Sequence, residues 1–144
     1  MIKRDYPDRP IVGVGSVVVD SGRVALVRRS KEPLKGKWSI PGGALEIGET
    51  LRECAAREAR EETGLEVEVE EILEVFDSIH PDRDGRAQYH YVLIDFLCRP
   101  VGGELCAGGD AVDARWVAAG ELAALDLSPN AIRIISRAFE LRRS

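Results

Sequence analysis

Glu58, Glu61 and Glu62 crowd one short segment, and their placement is what this sequence most needs to explain. Thr50 and Glu53 form a T-x-x-E capping box, which predicts a helix from about Leu51, and Gly64 stands where a left-handed cap would end it. At roughly 100° per residue, Leu51, Cys54, Ala55 and Ala59 define an apolar arc, while Arg52, Glu53, Arg57 and Arg60 lie mostly away from it. Glu58 and Glu62 fall near the middle of that arc, one turn apart, with Glu61 at its edge. Carboxylates gathered on an inward sector repel one another and are costly to desolvate unless a cation or strong donors compensate. A divalent metal is the simplest compensation. The plain alternative is a solvated, charge-rich surface helix held by pairs such as Glu53 with Arg57.

Spacing decides between these readings. Gly43 is followed after five residues by Glu49, then after seven by Arg57-Glu58-Ala59-Arg60-Glu61-Glu62, and after one more by Gly64-Leu65. This stretch resembles the Nudix box, departing from it only at Ala59, where a larger aliphatic residue is more usual. The opening strands, the Trp38-Ser39-Ile40-Pro41-Gly42-Gly43 lead-in, the run from Tyr89 and the Ala114–Val117 segment are also similar to that family. The resemblance implies an α/β fold, a Nudix-type α/β/α sandwich around a mixed β-sheet. It also implies metal-dependent hydrolysis of a nucleoside diphosphate linked to another group, by in-line attack of a metal-activated water. Glu58, Glu61 and Glu62 would carry metal, with Glu58 sharing a base role through water and the Gly42 carbonyl completing the sphere. Arg57 and Glu49 would form the salt bridge that orients the glutamates. Mg²⁺ or Mn²⁺ suits such oxygen ligands.

The elements that must position this segment read as strands and helices interleaved in the order β-β-β-helix-β-β-β-helix. Met1–Pro10 is a polar, loose lead-in. Ile11–Val19 and Arg23–Arg29 are strands joined by an Asp20-Ser21-Gly22 turn. Gly13 and Gly15 spell G-x-G inside a strand with no helix directly following, so close packing over the strand is expected rather than a dinucleotide-binding turn. Val67–Phe76 is a strand with a bulge near Glu70-Glu71, and Asp77–Gln88 is a polar loop or long hairpin connection. Tyr89–Arg99 suits a central strand. Asp110–Val117 leads from an acidic loop into a short strand. Ser128-Pro129 starts a final helix that buries Ile132, Ile135, Ala138 and Phe139.

Length and composition bound the function class. The chain has 144 residues, 44% of them hydrophobic and 31% charged, which suits one domain over residues 1–144 with a real core. Its formal net charge of −5 argues against sequence-independent nucleic-acid binding but admits a small phosphorylated ligand. Cys54, Cys98 and Cys106 lack metal-ligand spacing and read as core or incidental thiols. No apolar run approaches the roughly 20 residues that cross a bilayer, so a cytoplasmic location without membrane association is expected. Neither His80 nor His90 is placed with a serine or cysteine to suggest a nucleophilic triad. No heptad seam or unexplained apolar stripe specifies an oligomer, although many relatives of this type form homodimers.

Residues outside the box would choose the substrate. Arg28 and Arg29 alternate across a strand, so only one should face a given site, and Arg28 is the candidate for phosphate or base contact. Trp38 is a candidate for base stacking, set against packing, and His80 for substrate contact. Asp110 or Asp113 is a candidate further acid. Pro81 stands about sixteen positions beyond the box, as in ADP-ribose pyrophosphatases of the resembled family. The small-molecule nucleotide substrate is therefore expected to be ADP-ribose or an ADP-sugar, giving AMP and a sugar phosphate. The alternatives are a nucleoside triphosphate pyrophosphohydrolase, including one acting on oxidised nucleotides, and a non-catalytic ADP-ribose-sensing module.

Overall fold

The structure, a computed structural model, describes residues 3–143; Met1, Ile2 and Ser144 of the expected domain lie outside it. Its elements are β1 (Ile11–Asp20), β2 (Arg23–Arg29), β3 (Trp38–Ser39), β4 (Gly42–Ala44), α1 (Leu51–Thr63), β5 (Leu65–Pro81), β6 (Ala87–Gly103), β7 (Ala111–Ala118), a 3-10 helix (Ala119–Ala124) and α2 (Pro129–Arg143). The strands form a mixed sheet. β1 runs parallel to β6 from Ile11↔Tyr91 to Val18↔Cys98, and antiparallel to β4 and β2. β2 pairs with β3 and β7, and β5 with β6, all antiparallel.

Period-two alternation along β1 feeds two cores. Val14 and Val18 pack with Ala25, Phe96 and Cys98 against Cys54 and Ala55 of α1. Val17 and Val19 pack with Leu26, Leu97 and Val117 against Ile134, Ile135, Ala138 and Phe139 of α2. The sheet is thus covered by one helix on each face, the α/β sandwich expected from the sequence.

The helix starts are chemically explicit. Thr50 accepts from Glu53 N–H at 3.1 Å, the Glu53 carboxylate accepts from Thr50 N–H at 2.9 Å, and Gly64 closes α1 at φ 73°. At α2, Ser128 Oγ accepts from Ala131 N–H at 3.2 Å. The buried face of α2 takes in Ala131 and Ile134, whereas Ile132, expected inside, is 42% exposed. The one-residue difference is a rotation of about 100° on the helix.

The polar stretch 77–88 is mostly strand. β5 and β6 stay paired from Asp77↔Val92 to Pro81↔Ala87, leaving residues 82–86 as the connection. Sequence polarity misleads there because β5 lies at the sheet edge, where outward positions accept polar side chains. The expected bulge is present as a register break between Val69 and Ile72. The third expected strand is two short ones, β3 and β4. The lead-in is tied down at Asp5 and Tyr6, with Gln88 Nε2 donating to the Asp5 carboxylate at 3.0 Å. Tyr6 N–H donates to the Gln88 carbonyl at 2.8 Å, its hydroxyl donates to Asp82 at 2.7 Å, and Arg86 covers its ring.

Candidate active site

The inward carboxylates of α1 meet the glycines of β4. Gly42 N–H donates to Glu62 at 3.1 Å, and Glu62 is only 8% exposed. Glu58 lies directly against Gly43, where a Cβ would fall 2.5 Å from the carboxyl carbon of Glu58. Only glycine at that position leaves the carboxylate its place. Burial pushes the Glu62 carboxyl up to about 7, with the Gly42 hydrogen bond opposing and the charge of Glu58 reinforcing. Burial also raises Glu58, and Arg57 tempers it.

Arg57 organises the acids around it. Its Nε and Nη2 donate to the two oxygens of Glu49 at 2.6 and 3.1 Å, a bidentate pair that holds the Glu49 carboxyl below its ordinary range. Its Nη1 donates to Glu58 at 2.9 Å and Glu61 at 3.2 Å, and its Nη2 also reaches the Ala44 carbonyl at 3.2 Å. Helix and loop are thereby locked together at one guanidinium.

A small pocket of about 40 Å³ opens over this arrangement, lined by Glu58, Glu62, Gly42, Gly43 and Asp110 together with Arg4, Arg28, Arg29 and Lys31. Acids and cations lining the same pocket suit a phosphate bound beside a cation. It shares Arg4, Arg29, Ile40, Gly42 and Gly43 with a much larger cleft of about 500 Å³ on the α2 side of the sheet. Mostly apolar walls with a few polar groups, at this volume, are typical of a small-molecule site.

Glu61 stands apart from this pocket, half exposed and bonded to Arg57. Among the described residues, no three acidic, histidine or cysteine side chains converge closely enough to hold a metal ion. Arg57 holds Glu58 and Glu61 at a single nitrogen, while Glu62 is bonded instead to the Gly42 N–H. Glu58 and Glu62 nevertheless fit a hard divalent cation: both supply carboxylate oxygens, Glu62 is buried and Glu58 largely so, and burial raises the proton affinity of each.

The residues proposed outside the box are dispersed. Arg28 lines the small pocket and donates through Nε to the Gly36 carbonyl at 3.0 Å. Arg29 lines it too, contrary to strict alternation, because β2 breaks register between Arg28 and Arg29. Asp110 lines the pocket and pairs with Lys31 at 3.1 Å, whereas Asp113 turns to Arg115 at 3.3 Å. Trp38 is 8% exposed, packed in the α2 core beneath Arg115, and lines neither cavity, so base stacking gives way to packing. His80 is in β5 rather than a loop and lines the cleft, with Nε2 3.2 Å from Ser78 Oγ. Pro81 ends β5 and lines neither cavity.

Sequence reasoning missed Arg4, Tyr91 and Asp95. Arg4 had no signal, lying in a polar lead-in. Asp95 had one: a lone acid inside the apolar run Tyr89–Arg99, where it is 4% exposed. The thiols of Cys54 and Cys98 are buried and pushed up to about 12 by burial, as expected of core cysteines.

The NUDIX domain profile matches residues 9–138. The ADP-ribose pyrophosphatase of Methanocaldococcus jannaschii is 41% identical over 107 residues, covering 74% of this chain and 61% of that protein. The human 8-oxo-dGDP phosphatase NUDT18 is 34% identical over 101 residues, covering 67% of this chain but 28% of that protein. Among solved structures, a NUDIX hydrolase from Nitrosomonas europaea superposes with a TM-score of 0.77 at 27% identity, covering 94% of this chain and 73% of that one. No described helix is long and apolar enough to cross a membrane.

Proposed function

The chain belongs to the NUDIX family, and from that premise we propose that it hydrolyses the diphosphate of ADP-ribose or a related ADP-sugar, yielding AMP and a sugar phosphate. The observation that supports this most is the continuity of the small acid-and-base pocket with the larger apolar-walled cleft, through Arg4, Arg29, Ile40, Gly42 and Gly43. A substrate with a charged diphosphate and a bulky organic end needs both compartments side by side.

NUDIX hydrolases generally need a divalent metal, and here Glu58 and Glu62 would hold it, with Glu61 available from the same helix; Mg²⁺ is the proposed ion and Mn²⁺ a substitute. Bound there, such an ion neutralises phosphate charge and makes a water nucleophilic near neutral pH. The chain's own residues do the rest. Arg28, Arg29 and Lys31 offer cations to the phosphate oxygens, and Gly42 and Gly43 let phosphate approach the backbone. Arg57 keeps Glu58 in place while its pair with Glu49 anchors the loop. Glu58, with its proton affinity raised by burial, is suited to take a proton from water.

Similarity to the 8-oxo-dGDP phosphatase favours an oxidised nucleotide as the second reading, over a shorter share of that relative. One assay separates them: a panel of ADP-ribose, ADP-sugars, dinucleoside polyphosphates and nucleotides including 8-oxo-dGDP, coupled to alkaline phosphatase or to inorganic pyrophosphatase. Phosphate released from ADP-ribose only with the phosphatase supports the proposal. Phosphate from triphosphates only with the pyrophosphatase, or turnover confined to 8-oxo-dGDP, overturns it. Metal-independent ADP-ribose binding without turnover would instead indicate a sensing module. A cytoplasmic location and a homodimer remain part of this reading, the latter testable by light scattering.

A further inference from the structure

Asp95 lines the 500 Å³ cleft, which the carboxylates of α1 do not line. It sits on β6 opposite Gly15 of β1, and Gly15 leaves it room: a Cβ there would overlap Asp95 Oδ1 and fall 3.3 Å from its carboxyl carbon. Gly13 does the same for Leu93, so these two glycines open the cleft floor to side chains from the neighbouring strand. Asp95 is 4% exposed, and Arg133, the cation nearest in influence, is bonded to Glu74 at 2.7 Å. Such an acid in an apolar strand is costly unless something in the cleft donates to it. A second polar group on the same floor points the same way. The hydroxyl of Tyr91 is buried with no hydrogen-bond partner among the described residues.

The order along the cleft suggests what the donor is. Gly15 pairs with Gly42 on one side and Asp95 on the other, so Asp95 is at the end of the cleft that adjoins the phosphate pocket. Tyr91, four residues earlier on the strand, is about 13 Å away at the backbone, further from that pocket. A group immediately beyond a diphosphate is a sugar, and its vicinal hydroxyls are paired donors that a carboxylate accepts well.

We propose that Asp95 is a specificity-determining residue that accepts hydrogen bonds from the vicinal hydroxyls of the ribose next to the diphosphate, so that the cleft distinguishes ribose from 2-deoxyribose. This rests on the reading of the small pocket as the diphosphate site. Either ribose of the substrate could supply the diol, and product binding distinguishes them without requiring turnover. By titration calorimetry, the wild-type protein should bind AMP over 2′-dAMP, or ribose 5-phosphate over 2-deoxyribose 5-phosphate, by about 10-fold or more, the scale of one hydrogen bond to a charged group. The pair that shows the preference identifies the ribose. Asp95→Asn and Asp95→Ala should bring that ratio toward one, with thermal melts confirming that both variants fold.

Equal binding within both pairs by the wild-type protein overturns the proposal, as does a ratio that both folded variants retain. Product preference without hydrolysis would sink the catalytic reading and leave this one standing. Hydrolysis without sugar preference would do the reverse.

Discussion

Arg57 grips Glu49 through two nitrogens, at 2.6 and 3.1 Å, across the junction between the glycine-rich loop and α1. The same guanidinium holds Glu58 at 2.9 Å. Loop position and the orientation of a pocket carboxylate therefore depend on one side chain that itself does not line the pocket.

Glu49→Gln should weaken that link while leaving Glu58 and Glu62 present. The expected result is a fall of about 10- to 100-fold in kcat, with KM changed far less. Equal loss of kcat in Glu49→Gln and Glu58→Gln would mean that Glu49 acts at the reacting atoms instead.

Gly42 and Gly43 should fail in different ways. A Cβ on Gly42 would fall 2.6 Å from the Val14 carbonyl oxygen and 2.9 Å from Gly15 Cα, both backbone, so Gly42→Ala should cost about 1–3 kcal/mol of stability. The nearest atoms that a Cβ on Gly43 would meet belong to the flexible end of Glu58. Gly43→Ala should keep its melting temperature within a few degrees and lose most of its turnover; denaturant melts beside a steady-state assay would check the pair.

Glu62 links stability to pH. Burial holds its folded-state pKa at about 7, above the usual carboxylate range, so the fold binds this proton more tightly than the unfolded chain does. That stabilisation is complete below about pH 4 and is lost as pH rises through about 7. In chelator-containing buffer, Glu62→Gln should therefore gain in melting temperature over wild type on going from about pH 5 to about pH 8. A constant difference across that range would show that Glu62 is not held near 7. The same variant should lose nearly all activity.

Chelation should abolish hydrolysis, and Mg²⁺ or Mn²⁺ should restore it. In Glu58→Gln the metal concentration for half-maximal activity should rise about 10-fold or more, measured by titrating the ion at saturating substrate. Full activity in excess EDTA would remove the metal from the mechanism.

Local chemistry was legible in the sequence because it depends on neighbours along the chain. Thr50, Glu53 and Gly64 delimit α1 through hydrogen bonds and a left-handed φ that involve only adjacent residues. The inward placement of Glu58 and Glu62 follows from helical periodicity, and the spacing of the glycine-rich box pointed to the family that the comparisons show. Polarity was a poorer guide where pairing overrides it, as in the strand content of 77–81 and 87–88.

What the tertiary structure alone decided is which distant residues share a cavity. Arg4 reaches the pocket because Tyr6 is pinned to the β5–β6 hairpin, and Arg29 joins Arg28 there because β2 breaks register. Asp110 is separated from Asp113 by its place on the pocket wall, and Trp38 is withdrawn into the core. Gly15 and Asp95 meet only through the parallel pairing of β1 with β6. A sequence specifies hydrogen bonds and periodicity over a few residues, whereas a cleft is formed by strand order and register between segments far apart in the chain. The glycine-rich box was therefore readable in advance, whereas the residues that share a cavity with it were readable only in part: Arg28, Asp110 and His80 line one, and Trp38 and Pro81 do not.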